Sequence, residues 1–178
     1  MIELQPFTEI DCDRLIRWVP DRRFLLQWAG PEYKWPLDTK QLLKTYAKTK
    51  IHPSSHYMFI AYDTGIEQSI GHIELMNVNI EKKSAHIGRV LIDPAIRGRG
   101  YGSQLMNKIC EYAFINLKLS TLTLSVFDFN QSAIACYQKI GFKIIETKIA
   151  FREFENEKWN LLIMKLEKQA CKFNSPSI

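Results

Sequence analysis

The sequence predicts an α+β fold, a mixed α/β arrangement in which one sheet is flanked by helices, and three features carry that expectation. Apolar runs of strand length alternate along the chain with runs whose apolar residues recur at helical spacing. Two of the strand-like runs, Ile70 to Val78 and Ser84 to Ile92, are separated only by the polar link Asn79 to Lys83, which predicts an antiparallel hairpin. The second of them runs into a glycine-rich turn that opens a helix.

In chain order, Ile2 to Phe7 alternates weakly and reads as a first strand. Thr8 and Asp11 have the spacing of a capping box, ahead of a short helix carrying Leu15, Ile16 and Trp18. A second short helix fits Asp21 to Gln27, and an aromatic, proline-punctuated loop follows from Trp28 to Pro36. Asp38 with Gln41 is a stronger N-cap signature, for a helix reaching about Lys50. Tyr57 to Tyr62 is a strand and Thr64-Gly65 a turn, and the hairpin then ends at Asp93-Pro94. Gly100 to about Asn116 places Leu105, Ile109, Tyr112 and Ala113 at helical spacing. Leu122 to Phe127 is a short strand, and Gln131 to Lys139 a helix stopped by Gly141. Phe142 to Phe154 and Trp159 to Leu166 form a last strand pair around Glu155-Asn156-Glu157. Residues 1–166 are expected to make a single domain, and 167–178 a loose polar tail.

At 178 residues the chain can bury one sizeable core without a disulfide scaffold. Cys12, Cys110, Cys136 and Cys171 show no CxxC spacing, and His52, His56, His72 and His86 complete no metal-ligand pattern. No metal site is expected, and the cysteines suit a reducing compartment. No basic-then-apolar leader and no run of about 18 apolar residues occurs, so a cytoplasmic protein without membrane contact is expected. The net charge of +5 is spread out rather than blocked, which favours a basic cleft for a phosphate-bearing ligand over a nucleic-acid surface.

The turn Arg97-Gly-Arg-Gly-Tyr-Gly-Ser103 lies between strand and helix. A helix start has unpaired N–H groups and a partial positive charge, and glycines let a ligand approach the backbone closely, so the segment could cradle a diphosphate. The spacing Gly98-x-Gly100-x-Gly102 is not the GxGxxG of a dinucleotide fold, and the Lys-Ser or Lys-Thr ending of a P-loop is missing. A plain tight turn with helix-packing glycines is the other reading.

Here the sequence resembles the GNAT superfamily of N-acetyltransferases. Arg97 to Gly102 resembles that family's (Gln/Arg)-x-x-Gly-x-(Gly/Ala) signature, and Ser84 to Pro94 the strand before it. Phe129-Asn-Gln-Ser-Ala-Ile-Ala-Cys-Tyr-Gln-Lys-Ile-Gly-Phe142 resembles its N-x-x-A-x-x-x-Y-x-x-x-G-F stretch. The N-terminal helices look more like the ribosomal-protein (RimJ/RimL-like) and antibiotic-acetylating branch than like histone acetylases.

The resemblance implies a twisted, mostly antiparallel sheet of about six or seven strands, with a splayed central pair. It implies acetyl-CoA as donor and direct attack by a primary amine in a ternary complex. The arm of the cofactor would pair with Val90, Leu91 and Ile92 as an added strand. Arg97, Gly98, Arg99, Gly100, Gly102 and Ser103 would hold the diphosphate, Asn130 would touch the arm as well as cap its helix, and Tyr137 would protonate the departing thiolate. Tyr137 also reads as a packed aromatic beside Ile134 and Ile140. Many relatives carry a Glu base where this chain has His86; Glu74 on the neighbouring strand, His72 beside it and a water relay are the alternatives. Whether Glu74 shares a face with His86 depends on the hairpin register. On the acceptor side, Trp28, Glu32, Tyr33 and Asp128 would hold a cationic amine by charge and cation–π contacts. The acceptor could be a small amine, an aminoglycoside, a polyamine or a protein N-terminus. A homodimer through the last strands is expected, and an acetyl-CoA-binding module that has lost its chemistry is the alternative function.

Overall fold

The computed structural model describes residues 1–170; the part of the expected tail from 171 to 178, with Cys171, lies outside the described residues. One seven-stranded sheet organises the chain. Its strands are β1 (Ile2–Pro6), β2 (Tyr57–Asp63), β3 (Gln68–Asn79), β4 (Ser84–Ile92), β5 (Thr121–Phe127), β6 (Lys143–Phe154) and β7 (Glu157–Glu167). The spatial order is β1-β2-β3-β4-β5-β7-β6, antiparallel except for the β4–β5 pair. The helices are α1 (Cys12–Arg17), α2 (Arg22–Ala29), α3 (Thr39–Lys48), α4 (Tyr101–Glu111) and α5 (Gln131–Ile140).

Strand alternation divides the core in two. Phe59, Ala61, Ile73 and Leu75 point to the face covered by α4 and α5, where they pack with Leu105, Ile109, Ile134 and Phe142. Met58 and Ile60 point to the other face and meet Leu15, Leu25 and Leu42 of α1–α3. The capping signals at Asp11 and Asp38 are realised, with Asp11 accepting from the Thr8 amide at 2.9 Å and Asp38 from the Gln41 amide at 2.8 Å, and Asp21, expected to open its helix, caps it by accepting from the Phe24 amide at 2.7 Å. Two ends differ from expectation. The helix that begins at Tyr101 stays α-helical only to Glu111 and continues as a wider π-type turn over Tyr112–Asn116. The last strand runs on to Glu167, which pairs with Thr121, and Lys168–Ala170 form a 3-10 turn.

A β-bulge in β4 positions everything that follows. Glu74 faces Gly88 and His72 faces Leu91, so Arg89 and Val90 together oppose the single residue Ile73. Arg89 takes a left-handed backbone at φ +50°, unusual for a side chain of its size. The extra residue reverses the strand's facing: Ala85 and Ile87 pack toward α4, whereas Leu91 packs with α1–α3. The parallel ladder to β5 holds only from Ser84–Thr121 to Ile87–Leu124. Beyond it the two strands diverge.

Candidate active site

The divergence leaves a cleft of about 420 Å³ between Gly88–Ile92 of β4 and Leu124–Phe127 of β5, closed by the start of α4 and by α5. Backbone groups of β4 that would pair with β5 in a regular sheet face this cleft instead. At its mouth Gly98 and Gly100 both have φ +80°, and Gly100 is the N-cap of α4. A Cβ built on Gly98, Gly100 or Gly102 meets no atom within 4 Å, so the helix start stands open to a ligand. The Arg97 side chain folds across the turn: its Nε donates to the Ile92 carbonyl at 3.2 Å and its guanidinium lies 5.2 Å from the centre of the Phe24 ring. Ser103 Oγ and Cys136 Sγ are 3.2 Å apart, joining α4 to α5. Asn130 caps α5 through the Ala133 amide at 3.4 Å and lines the cleft. Tyr137 lines it too, and burial, with Cys136 alongside, pushes its hydroxyl well above the usual tyrosine range.

A second cavity of about 540 Å³ lies on the α1–α3 side and shares Gln27, Trp28, Gly88, Arg89, Ser125 and Phe127 with the first. His56, His86, Lys48, Phe151 and Arg152 complete the walls that matter for its chemistry. Between β6 and β7 the register jumps from Lys148–Leu161 to Arg152–Trp159, and Asn160 Oδ1 accepts from the Ala150 amide at 2.9 Å. That irregularity brings Phe151 and Arg152 to the cavity.

Behind the shared wall is a charge cluster centred on the fully buried Glu74. The Glu74 carboxylate accepts from His56 Nε2 at 2.7 Å, His72 Nε2 at 3.0 Å and Arg89 Nη1 at 2.7 Å. The other guanidinium nitrogen of Arg89 pairs with Glu32, and the guanidinium stacks 4.7 Å from the Tyr33 ring centre. Burial alone would raise the Glu74 carboxyl, but the His56 and His72 hydrogen bonds and the Arg89 charge outweigh it and hold it well below the usual carboxylate range.

The register answers the question left open by the hairpin: Glu74 faces Gly88 and Met76 faces His86, so Glu74 and His86 share a face. Glu74, however, has both oxygens engaged. His86 hydrogen-bonds through Nδ1 to Thr123 Oγ1 at 3.0 Å, and burial lowers its pKa. Val90, Leu91, Ile92, Arg97, Gly98, Gly100, Gly102, Ser103 and Asn130 all line the first cleft; Arg99 does not, and is exposed. Trp28 lines both cavities. Glu32 reaches the second but is already paired with Arg89. Tyr33 and Asp128 line neither cavity. The Tyr33 hydroxyl bonds Thr45 Oγ1 at 2.8 Å beneath Arg89, with burial pushing its pKa up to about 12, and Asp128 accepts from Asn160 Nδ2 at 2.8 Å. His56 was not among the expected site residues, although its even parity with Met58 and Ile60, once β2 is paired to β3, puts it on the Glu74 face.

Residues 22–142 match the family model described as the acetyltransferase (GNAT) family. The chain belongs to that family. The acetyltransferase is 34% identical over 151 residues to the acetyltransferase PseH of Campylobacter jejuni, covering 82% of this chain and 87% of the relative. It is 26% identical over 122 residues to the spermidine N(1)-acetyltransferase of Vibrio cholerae, covering 68% and 67%. A crystal structure of the Vibrio cholerae spermidine N-acetyltransferase in complex with CoA and spermine superposes with a TM-score of 0.82 at 20% identity, over 95% of this chain and 96% of that one. The enzyme is thus an acetyl-CoA-dependent N-acetyltransferase. Its own geometry fits the donor: an interrupted ladder offers backbone partners to an extended arm, and an open, glycine-lined helix start offers amides to a diphosphate. No helix among the described residues is long and apolar enough to cross a membrane.

Proposed function

We propose that the acetyltransferase acetylates a primary amine on a small molecule that also bears an anionic group. The observation that carries this is the charge of the second cavity. A polyamine site needs free carboxylates, yet Glu32 is tied to Arg89 and Glu74 is sealed behind it. Lys48 and Arg152 face the same cavity with no carboxylate within ion-pair distance among the described residues. Trp28, Phe127 and Phe151 supply flat apolar walls between them. The spermidine enzymes among the relatives act on a polycation; the charges here favour the opposite kind of acceptor. The helices after β1 fit the RimJ/RimL-like branch, but a basic small-molecule cavity does not need that placement.

Acetyl-CoA brings an activated acetyl thioester. In this reading the amides of the α4 start hold its diphosphate, the unpaired edge of β4 from Val90 to Ile92 aligns its arm, and Asn130 borders the arm. The acceptor nitrogen forms a bond to the acetyl carbon as the carbon–sulfur bond breaks, its electron pair staying on sulfur. Tyr137, which burial keeps protonated through the neutral range, gives the sulfur its proton. Glu74 positions His56 and Arg89 rather than taking a proton, and His86 walls the acceptor cavity. A homodimer through the outer strand β6 belongs to the same proposal. Ile144, Ile145 and Ile149 are exposed there, and two-fold antiparallel pairing about Thr147 sets Glu146 against Lys148 and Ile145 against Ile149 of a second copy.

The test is thiol release from acetyl-CoA with amines matched in size but differing in charge: phosphorylated or carboxylated amines, neutral amino sugars, and spermidine. We expect kcat/KM to be highest for the anionic amines, and Lys48→Glu with Arg152→Glu to lower it for these while raising it for spermidine. A preference for spermidine in the unaltered enzyme would overturn the acceptor assignment.

A further inference from the structure

We propose that His56 is the group that takes the proton from the acceptor ammonium, with Glu74 as its positioning residue; this rests on the amine entering the second cavity as described above. His56 stands one residue before β2 and lines that cavity, with Glu74 behind it. Its main chain is fixed by Ser54, whose hydroxyl donates to the His56 carbonyl at 2.7 Å and accepts from its amide at 3.3 Å.

The hydrogen-bonding pattern sets the tautomer. Glu74 is ionised and can only accept, so the His56 Nε2 that lies 2.7 Å from it must carry hydrogen. In the neutral ring the lone pair is then on Nδ1. That nitrogen bonds no protein group among the described residues, and it is not among their sealed, unpaired side-chain atoms, which are Trp28 Nε1, His72 Nδ1 and Arg152 Nε. Nδ1 is therefore open with its lone pair free, and a proton received there faces a carboxylate already in place across the ring. The two other histidines nearby lack this arrangement. His72 also bonds Glu74, but it is fully buried with its Nδ1 shut in, and so braces the carboxylate. His86 has only the Thr123 hydroxyl for a partner and no carboxylate to stabilise a cationic ring.

The charged surroundings of His56 are Glu74 and, through it, His72 and Arg89, with Glu32 beyond Arg89; Lys48, Arg152 and His86 stand around the cavity. The proton balance is complete. One ammonium proton goes to His56 Nδ1 and on to solvent, which frees the nitrogen lone pair. After the carbon–nitrogen bond forms, the nitrogen sheds a second proton, and one proton is gained by the sulfur through Tyr137. The net result is an amide, a thiol and one released proton.

The experiment uses the full chain, an amine the enzyme accepts, and a fluorinated analogue of that amine which is already neutral at the assay pH. His56→Gln keeps an N–H for Glu74 but has no titratable nitrogen. We expect it to lower kcat/KM for the ordinary amine by roughly 100-fold at neutral pH. It should also remove the imidazole inflection from the acid limb of the pH profile, and leave acetyl-CoA affinity by calorimetry within about twofold. For the fluorinated amine the loss should shrink to within about threefold, because no proton has to be removed. Equal losses for both amines, or an unchanged acid limb, overturn the proposal and leave His56 a structural brace. If His86→Gln, and not His56→Gln, gives the amine-dependent loss, the base is His86. Should His56→Gln not fold, nitrogen-15 NMR of the unaltered protein decides: the Nε2–H tautomer is expected for His56, and Nδ1–H rules the mechanism out. An unaltered enzyme that acetylates no amine in the panel would instead sink the acetyl-transfer assignment on which this proposal depends.

Discussion

Arg89→Met removes the only permanently charged partner, among the described residues, of a carboxylate that has no solvent to fall back on. Glu74 is 0% exposed and the Arg89 side chain 4%, so the ion pair at 2.7 Å is unscreened. Breaking such a pair from one side costs about 3–5 kcal/mol, because the charge left behind stays buried. His56 and His72 still hold one oxygen each, which places the expectation near the lower figure, about 3 kcal/mol. The loss of the Glu32 contact adds little, since that carboxylate is 55% exposed. For a chain of this size the deficit corresponds to a Tm lower by about 6–12 °C. The deficit depends on pH with a definite sign. In the unaltered protein the Glu74 pKa lies below its ordinary 4.5, so its contribution is complete above that value and is lost as pH falls through the folded pKa. In the variant the carboxyl loses the guanidinium while staying buried, so its pKa rises and protonation relieves the stranded charge as pH falls. The gap between variant and unaltered protein should therefore narrow from pH 7.5 to pH 5. Glu74→Gln combined with Arg89→Met should recover at least half of the loss, since no buried charge then remains. Urea unfolding followed by circular dichroism at several pH values measures all of this. A loss under about 1 kcal/mol, or a gap that does not change with pH, would refute the electrostatic account.

Gly100→Val should raise the Kd for acetyl-CoA at least tenfold by calorimetry, because φ +80° is denied to a β-branched residue and the α4 start must shift; Ser103→Ala, which loses only the contact to Cys136, should change it less than threefold. Tyr137→Phe should lower kcat by roughly 100-fold with KM for the amine nearly unchanged, and an unchanged kcat at every pH would remove Tyr137 from the proton path. Ile149→Lys should convert a dimer into a monomer in sedimentation equilibrium, and a monomeric unaltered protein would dismiss the β6 interface.

Most of the fold was legible because periodicity and punctuation agree. Apolar runs with polar links gave the strands, and Asp38 and Asn130 ahead of amphipathic runs gave the helix starts. The cleft proposed for the donor was legible as an open helix start for a different reason: backbone groups make it, and glycine spacing reports backbone conformation directly. The acceptor side was not. Tyr33 and Asp128 lie in loops, where no period fixes which way a side chain turns. Glu32 was expected to be free, but the partner that neutralises it is 57 residues away in sequence. The bulge at Arg89 had no signal at all, since the residue that takes the left-handed conformation is an arginine and Gly88, next to it, is not the one that does.

That bulge links the two proposed substrate sites in a single structural decision. A regular β4 would go on pairing with β5 beyond Ile87, and the donor cleft would be closed by its own ladder. Holding Arg89 in the left-handed region costs about 1–2 kcal/mol. The charge-assisted hydrogen bond to buried Glu74, worth about 1.5–3 kcal/mol, is large enough to offset it. The turn that opens the donor cleft is thus stabilised by the same carboxylate that orients His56 at the acceptor wall. On the proposed roles, Glu74 need not touch either substrate to matter to both: it holds the backbone proposed to align one and the imidazole proposed to prepare the other. A buried carboxylate in the middle of β3 is costly unless paired, and the pairing of Glu74 with Arg89 anchors the bulge of β4 beyond which the ladder to β5 is interrupted.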